Sequence, residues 1–167
     1  LTDTTYITDL EIVLYDMAYN QADGEIYAVT EQGELVYFHK LTGEVTRVGQ
    51  IGINTNTLAC SPEGVFYCNE LGTGKVYSFT LDTIAEPELL MEDPYLTAVD
   101  PIMGADMGGT TGNMGMEYNP NTGMICWNSH CEVLIGSYIT YAYYYEIDPE
   151  SGEFTRYNDF WHEMSGL

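Results

Sequence analysis

Polar and apolar residues alternate over short stretches of the chain, and each stretch ends at a segment rich in glycine, asparagine or aspartate. In the first fifty residues the stretches are 13–19, 25–29, 34–39 and 44–49. An alternation with a period of two is typical of a half-buried β-strand, and the glycine-containing segments between the stretches are typical of tight turns. We therefore predict four consecutive antiparallel strands, the last of them a charged outer edge that discourages pairing with other chains.

The same pattern recurs along the chain. Tyr27 recurs as Tyr67 and Gly24 as Gly64, both forty residues later, and a third copy starts near Asn113. A period of about forty residues built from short strands is the signature of propeller blades. The prediction is an all-β fold with about three four-stranded antiparallel blades, at residues 13–51, 57–92 and 113–158.

Partial blades are expected at both ends of a single, incomplete β-propeller that covers residues 1–167. Residues 161–167 read as the first strand of a further blade, and residues 6–12 as an edge strand of a preceding one. A closed propeller usually needs four to eight blades, and an open arc leaves apolar blade faces in water. We therefore expect a missing segment or another chain to complete the ring.

Two segments depart from the repeat, and both are candidates for a binding face. About ten extra residues fall in 129–140, and residues 93–112 form a glycine- and methionine-rich linker. Insertions in repeats map to loops, often on one binding face, although a longer hairpin without a ligand is the alternative. The candidate ligand-binding residues on this loop face are Glu31, Gln32, Asn69, Glu70, Trp127, Asn128 and His130. Such residues could bind carbohydrate or protein, or simply form a polar surface.

Charge narrows the choice of partners. The 167 residues carry a formal net charge of −22, from 26 acidic and 4 basic residues. Phosphate backbones and anionic membrane surfaces would be repelled, so neither nucleic acid nor a membrane is an expected partner. The chain also has no apolar run of about 18 residues, the length that a membrane-spanning helix needs. Cations, neutral sugars and basic protein surfaces remain as possible ligands.

The four cysteines allow a disulfide but do not require one. Cys126 and Cys131 enclose a short segment and could face each other across a tight loop, whereas Cys60 and Cys68 are poorly placed to pair. The alternative for all four is a buried free thiol.

Catalytic and metal-binding patterns are weak. The three histidines share no spacing, and a zinc site built on His130 and the neighbouring cysteines lacks a fourth ligand. A calcium ion held by Asp93, Asp100 and Asp106 in the linker is the one cofactor that the sequence leaves open, although these residues lack the EF-hand pattern. We expect no catalytic residues, no resident metal and no other cofactor.

Two turns carry a resemblance to a known group of proteins. Residues 118–123 read Tyr-Asn-Pro-Asn-Thr-Gly and residues 147–152 read Ile-Asp-Pro-Glu-Ser-Gly. With the recurring Ile-Tyr-Ala and Val-Tyr-Ser strands, these turns resemble the repeats of secreted bacterial β-propellers of the YncE-like and quinoprotein-like kind, over about 120 residues. The resemblance implies an extracellular or cell-surface location in a bacterium. Propellers host many functions, so it says little about the ligand.

Three functions follow as hypotheses. The first is a non-catalytic propeller segment that serves in binding, adhesion or assembly within a larger surface protein. The second is part of a propeller enzyme, a lyase or glycoside hydrolase, whose site needs the missing blades. The third is a self-associating fragment in which two copies complete one ring.

Overall fold

The computed structural model describes residues 12–39, 42–94, 111–134 and 138–157. These residues form twelve β-strands. The first four are β1 (Leu14–Asn20), β2 (Glu25–Thr30), β3 (Glu34–Phe38) and β4 (Val45–Gln50). The next four are β5 (Ala59–Cys60), β6 (Phe66–Asn69), β7 (Lys75–Phe79) and β8 (Glu88–Glu92). The last four are β9 (Thr111–Asn119), β10 (Met124–Leu134), β11 (Tyr138–Ile147) and β12 (Phe154–Tyr157).

The strands make three separate four-stranded sheets, each ordered as the chain runs: β1-β2-β3-β4, β5-β6-β7-β8 and β9-β10-β11-β12. Every pairing is antiparallel. We call these sheets the first, second and third blade. The prediction of an all-β fold with three four-stranded blades in an unclosed ring is confirmed. The partial blades expected at residues 6–12 and 161–167 lie outside the described residues, and the single-domain boundaries stay a prediction.

Glycine fixes the hairpin between the two innermost strands of every blade. Gly24, Gly64 and Gly123 close these turns with φ values of 80°, 84° and 73°. Only glycine adopts this conformation without steric cost. A glycine therefore closes the equivalent turn in each blade, although the turn of the second blade is one residue shorter than the other two.

Two apolar layers hold the blades together. The layer between the first and second blades contains Ala18, Tyr27, Val29, Leu35, Ile51, Leu58, Phe66, Cys68 and Phe79. The layer between the second and third blades contains Ala59, Tyr67, Val76, Met91, Met116, Ile125, Trp127, Tyr143, Tyr145 and Ile147. Because the second blade contributes one face to each layer, the three blades pack side by side.

Residues 129–134 and 138–140 lie in strands rather than in a loop. The pairing of β10 with β11 continues from Ile125 opposite Ile147 to Leu134 opposite Tyr138, so the extra residues lengthen this hairpin. The longer hairpin that the sequence left as an alternative is therefore what forms. The sequence of β11 suits continued pairing, because it is rich in tyrosine and contains β-branched residues, and both residue types favour strands.

Candidate functional site

A cleft of about 410 Å³ lies between the innermost strands of the three blades. It is lined from β1 by Asp16, Met17, Ala18 and Tyr19, and from the following turn by Gln21. The second blade contributes Leu58, Ala59 and Cys60, and the third contributes Met116, Glu117, Tyr118 and Pro120. Because all three blades contribute equivalent segments, the cleft lies where the blades converge.

The hairpin turns position the cleft residues. Asn20 and Asn119 each use the side-chain oxygen to accept the backbone N–H two residues later, at 2.9 Å and 3.0 Å. Ser61, which occupies the same place in the second blade, accepts the N–H of Val65 at 3.3 Å. These local bonds are typical of turn-forming residues. They fix the ends of the inner strands and therefore the lining residues just before them.

Asp16 is the central polar group of this region. Its Oδ1 accepts the N–H of Met17 at 2.9 Å, and its Oδ2 accepts the N–H of Leu58 at 3.0 Å and that of Met116 at 3.3 Å. Burial raises the pKa of the Asp16 carboxyl above its ordinary value, although all three hydrogen bonds act in the opposite direction. A single carboxylate therefore bridges all three blades.

The rest of the cleft is acidic and aromatic. Glu117 is exposed, and Tyr118 stacks on Tyr67 with ring centroids 6.4 Å apart. Burial, with a smaller contribution from the nearby acids Asp23 and Glu63, raises the pKa of the Cys60 thiol to about 12. The thiol is therefore neutral near pH 7 and is not a nucleophile.

None of the basic residues in the described part of the chain lines the cleft. Arg47, Lys75 and Arg156 instead pair with Glu34 at 3.6 Å, Glu70 at 3.8 Å and Asp93 at 2.8 Å, respectively. The cleft is thus suited to neutral or cationic ligands rather than to anions.

Four of the candidates from the sequence lie at or beside the ends of second strands. Glu31 and Gln32 are exposed after β2 and bond to each other at 2.8 Å. Asn69 ends β6, is fully buried, and accepts a hydrogen bond from the hydroxyl of Thr57. Glu70 pairs with Lys75. Asn69 therefore has a structural role, and a ligand-binding role for the other three stays a prediction.

The prediction that Asn128 and His130 lie in a loop next to Trp127 is wrong. All three lie within β10, because the hairpin continues past them. Trp127 is fully buried and its ring stacks on Tyr145 at a centroid distance of 4.8 Å, so it belongs to the core. Asn128 is exposed on the opposite face of the strand. Trp127 and Asn128 therefore cannot act on one ligand from the same side of the sheet.

The predicted disulfide between Cys126 and Cys131 is also wrong. Both residues belong to one continuous strand, with Cys126 opposite Glu146 and Cys131 opposite Tyr141. Five residues of extended chain span about 16 Å, far more than a disulfide allows. Cys126 is a free thiol that accepts a hydrogen bond from Tyr144 Oη at 3.0 Å.

One of the three aspartates that could hold a calcium ion is a buried core residue. Asp93 is buried and its Oδ2 accepts hydrogen bonds from the Tyr145 hydroxyl and the Arg156 guanidinium, each at 2.8 Å. Asp100 and Asp106 lie outside the described residues. Across the described ranges, no group of three histidine, cysteine, aspartate or glutamate side chains could hold a metal ion. The same part of the chain contains no helix that could span a bilayer.

Comparison with solved structures identifies the architecture. A structural genomics protein of unknown function from Bacteroides thetaiotaomicron superposes with a TM-score of 0.55 and 16% identity, over 83% of this chain and 32% of that one. An auxiliary nutrient binding protein from Bacteroides ovatus gives 0.52 and 14%, over 93% and 32%. The WD40 β-propeller domain of Doa1 gives 0.45 and 11%, over 91% and 53%. The fold is that of a β-propeller.

The two neighbours with TM-scores above 0.5 are informative about the fold alone, because their sequence identities are 16% and 14%. The chain spans about a third of the length of the first two solved structures. No protein-family model and no curated protein sequence matches the chain.

Asp16 is the functional candidate that the sequence did not reveal. Its partners Leu58 and Met116 lie 42 and 100 residues away along the chain. The repeat contained one sign that Asp16 is special, because the equivalent positions in the second and third copies are Thr57 and Gly115 rather than acids.

Proposed function

We propose that this chain is a non-catalytic β-propeller segment of a larger bacterial surface protein, in which its first blade receives a further blade and the completed ring serves in binding or assembly. The observation that supports this proposal most strongly is the different exposure of equivalent methionine and leucine positions. Met17 is 59% exposed, whereas its counterparts Leu58 and Met116 are 0% and 6% exposed.

The counterparts are buried because a preceding blade covers them. We call the face of each blade that packs on the preceding blade its rear face. Leu58, Phe66 and Cys68 form it in the second blade, and Met116, Ile125 and Trp127 form it in the third. The equivalent residues of the first blade are Met17, Ile26 and Ala28. The first blade therefore carries the same kind of rear face as the blades that already have a neighbour.

The inner strand of that rear face is open to solvent. Val13, Tyr15, Met17 and Tyr19 alternate along it and are between 51% and 59% exposed. Covering a methionine side chain completely stabilises by about 1.5–3 kcal/mol, so sealing the exposed half of Met17 alone would contribute on the order of 1 kcal/mol. A row of exposed apolar side chains on one sheet face is typical of an interaction surface.

The occupant we propose is a blade with an apolar forward face, the face that packs on the following blade. In the first two blades the forward face carries Ala18 and Tyr27, and Ala59 and Tyr67. In the third blade the equivalent residues are Glu117 and Cys126, followed by exposed Asn128. A second copy that offered this third blade would bury Glu117 against apolar side chains, which is unfavourable. A further blade with an apolar forward face, like that of the first two blades, therefore fits better than a second copy of the chain.

The cleft between the inner strands is the ligand site that we propose for the completed ring. Asp16 and Glu117 give it negative charge, and Tyr118 gives it aromatic surface. A neutral sugar or a cationic side chain from a protein partner matches this chemistry, because aromatic faces attract cations and acids accept hydrogen bonds from hydroxyl and ammonium groups. The free thiols of the chain are compatible with an extracellular setting, since Cys68 is buried and inert.

Methionine oxidation tests the covered face. We would treat the 167-residue chain and the longer polypeptide that contains it with peroxide, and follow Met17 and the control Met116 by mass spectrometry. Met17 should oxidise rapidly in the isolated chain and at least about ten times more slowly in the longer polypeptide, since oxidation follows exposure. Met116 should resist in both. Equal oxidation of Met17 in the two samples would contradict the proposal.

Two further outcomes separate the alternatives. Light scattering should show a monomer at high concentration, and a dimer in which Met17 is protected would assign the face to a second copy instead. Catalytic turnover that disappears when Glu117 is changed to Gln would overturn the non-catalytic assignment.

A further inference from the structure

Three backbone N–H groups from three different blades donate to one carboxylate. They belong to Met17, Leu58 and Met116. Each of these residues stands three positions before the first residue of its hairpin turn, namely Asn20, Ser61 and Asn119. The donors are thus equivalent by the repeat, and the convergence follows from the blade arrangement rather than from one local turn.

One carboxylate satisfies all three donors. Asp16 Oδ2 accepts the N–H groups of Leu58 and Met116 at 3.0 Å and 3.3 Å, while Oδ1 accepts the N–H of Met17 at 2.9 Å. Inward-pointing N–H groups place partial positive charge at one spot, and such a concave set of donors favours an anion. Hydrogen bonds from N–H groups to a carboxylate are stronger than those to a neutral acceptor.

The other two blades supply no competing acid. At the position of Asp16 the second blade has Thr57, whose hydroxyl bonds to Asn69, and the third has Gly115. A Cβ atom at Gly115 would meet no neighbouring atom within 4 Å, so there is open space on that side. Two or three carboxylates at one axial point would repel each other, and a single acid avoids that cost.

We propose that the N–H groups of Met17, Leu58 and Met116 form a carboxylate-binding site at the propeller axis, and that the Asp16 side chain is its built-in ligand. The site should therefore bind a small free carboxylate when the Asp16 side chain is removed. Asp16 is then a positioning residue, because it links β1 to strands of both other blades and fixes the end of the cleft that they line. Nearby Glu117 has the same sign as the ligand, so the smallest carboxylate, formate, is the probe of choice.

Chemical rescue tests this site. In the Asp16→Gly variant, formate should raise the midpoint of thermal unfolding by several degrees in a saturable way, because a ligand that binds only the folded state stabilises it. The backbone amide signals of Leu58 and Met116 should shift in proportion to the same binding curve in NMR spectra. Sodium chloride at equal ionic strength should do neither. Formate that shifts neither the midpoint nor these amides would overturn the proposal.

A matched variant controls for general effects of formate. Asp148 also accepts two backbone N–H groups, from Glu150 and Ser151, but in an exposed turn where water can replace it. Asp148→Gly should therefore show no rescue. Rescue of equal size in both variants would assign the effect to the bulk solution and contradict an axial site.

A second axial variant keeps the test decisive if Asp16→Gly fails to fold. Asp16→Asn preserves the shape but removes the charge, so the amide protons of Leu58 and Met116 should both move upfield as their hydrogen bonds weaken. Formate should not bind, because the site is filled. Amide shifts identical to those of the unchanged chain would show that the Asp16 carboxylate is not the acceptor.

Discussion

Tyr27 and Tyr67 occupy matching places in successive blades. Tyr27 lies opposite Ala18 and Tyr67 lies opposite Ala59, and the two tyrosines are 4% and 5% exposed. Each faces the following blade, where Tyr27 meets Phe66 edge to face at 5.0 Å and Tyr67 stacks on Tyr118 at 6.4 Å. The forty-residue repeat in the sequence is therefore a repeat of packing environments.

The alanine beside each tyrosine should be intolerant of charge. Changing Ala59 to Glu would bury an unpaired carboxylate between the second and third blades, and the free energy of unfolding should fall by at least about 3 kcal/mol. The reverse change at the equivalent position, Glu117→Ala, should have little effect because Glu117 is exposed. Urea denaturation of both variants checks the pair. Similar losses in the two would show that the positions are not equivalent by blade.

The ion pair between Asp93 and Arg156 should be the most valuable charge contact described between the second and third blades. Asp93 is 4% exposed and Arg156 is 27% exposed. Asp93→Asn removes the carboxylate that the guanidinium contacts and should lower the free energy of unfolding by about 2–4 kcal/mol. Arg47→Met is the matched control, because its pair with Glu34 is 70% exposed on the arginine side and should contribute less than about 1 kcal/mol.

A double-variant cycle isolates the Asp93 contact. The combination Asp93→Asn with Arg156→Met should lose clearly less stability than the two single changes added together, because residues in direct contact couple. Strict additivity would mean that the ion pair does not form in solution.

The thiols of Cys60 and Cys68 should resist alkylation in the folded chain. Burial raises the pKa of each thiol to about 12, so both stay neutral and weakly nucleophilic near pH 8. Iodoacetamide followed by mass spectrometry should label them much more slowly than in urea-unfolded protein, which is the control. Rapid labelling of Cys68 in the folded chain would contradict its place between the first and second blades.

The sequence predicts the blades well because the determinants of a blade are local. Gly24, Gly64 and Gly123 close the same hairpin, and apolar residues alternate around Tyr27 and Tyr67. It predicts the site poorly because the relevant contacts are distant along the chain. Asn128 and His130 read as loop residues only if the strand ends at Trp127, and the pairing of β10 with β11 instead continues to Leu134.

Asp16 and Asp148 show that local sequence also does not predict in which direction the pKa of an acid is shifted. Asp148 accepts hydrogen bonds within its own turn, which lowers its pKa, whereas burial raises the pKa of Asp16. Burial depends on Leu58 and Met116 arriving from other blades, and local sequence does not encode that.

Asp16 should also give the stability a specific dependence on pH. Because its pKa is raised above 3.8, the folded chain binds a proton there more tightly than the unfolded chain. The contribution of Asp16 to stability is therefore greatest at low pH and is lost as the pH rises through the raised pKa. The Asp16→Asn variant lacks this titration, so the unchanged chain should gain stability relative to it on acidification from about pH 7 to about pH 3.5. Urea unfolding across this range checks it, and a constant difference between the two would contradict a buried carboxyl.

The central claim is that three equivalent four-stranded blades pack around one axis and leave the inner strand of the first blade's rear face open. A crystal structure of the 167-residue chain tests it most directly. It should show β1, β5 and β9 side by side, with Asp16 Oδ2 within hydrogen-bonding distance of the backbone nitrogens of Leu58 and Met116, and Met17 uncovered by any neighbour within the chain. Helices in place of these strands, or Tyr27 and Tyr67 in dissimilar surroundings, would contradict the account.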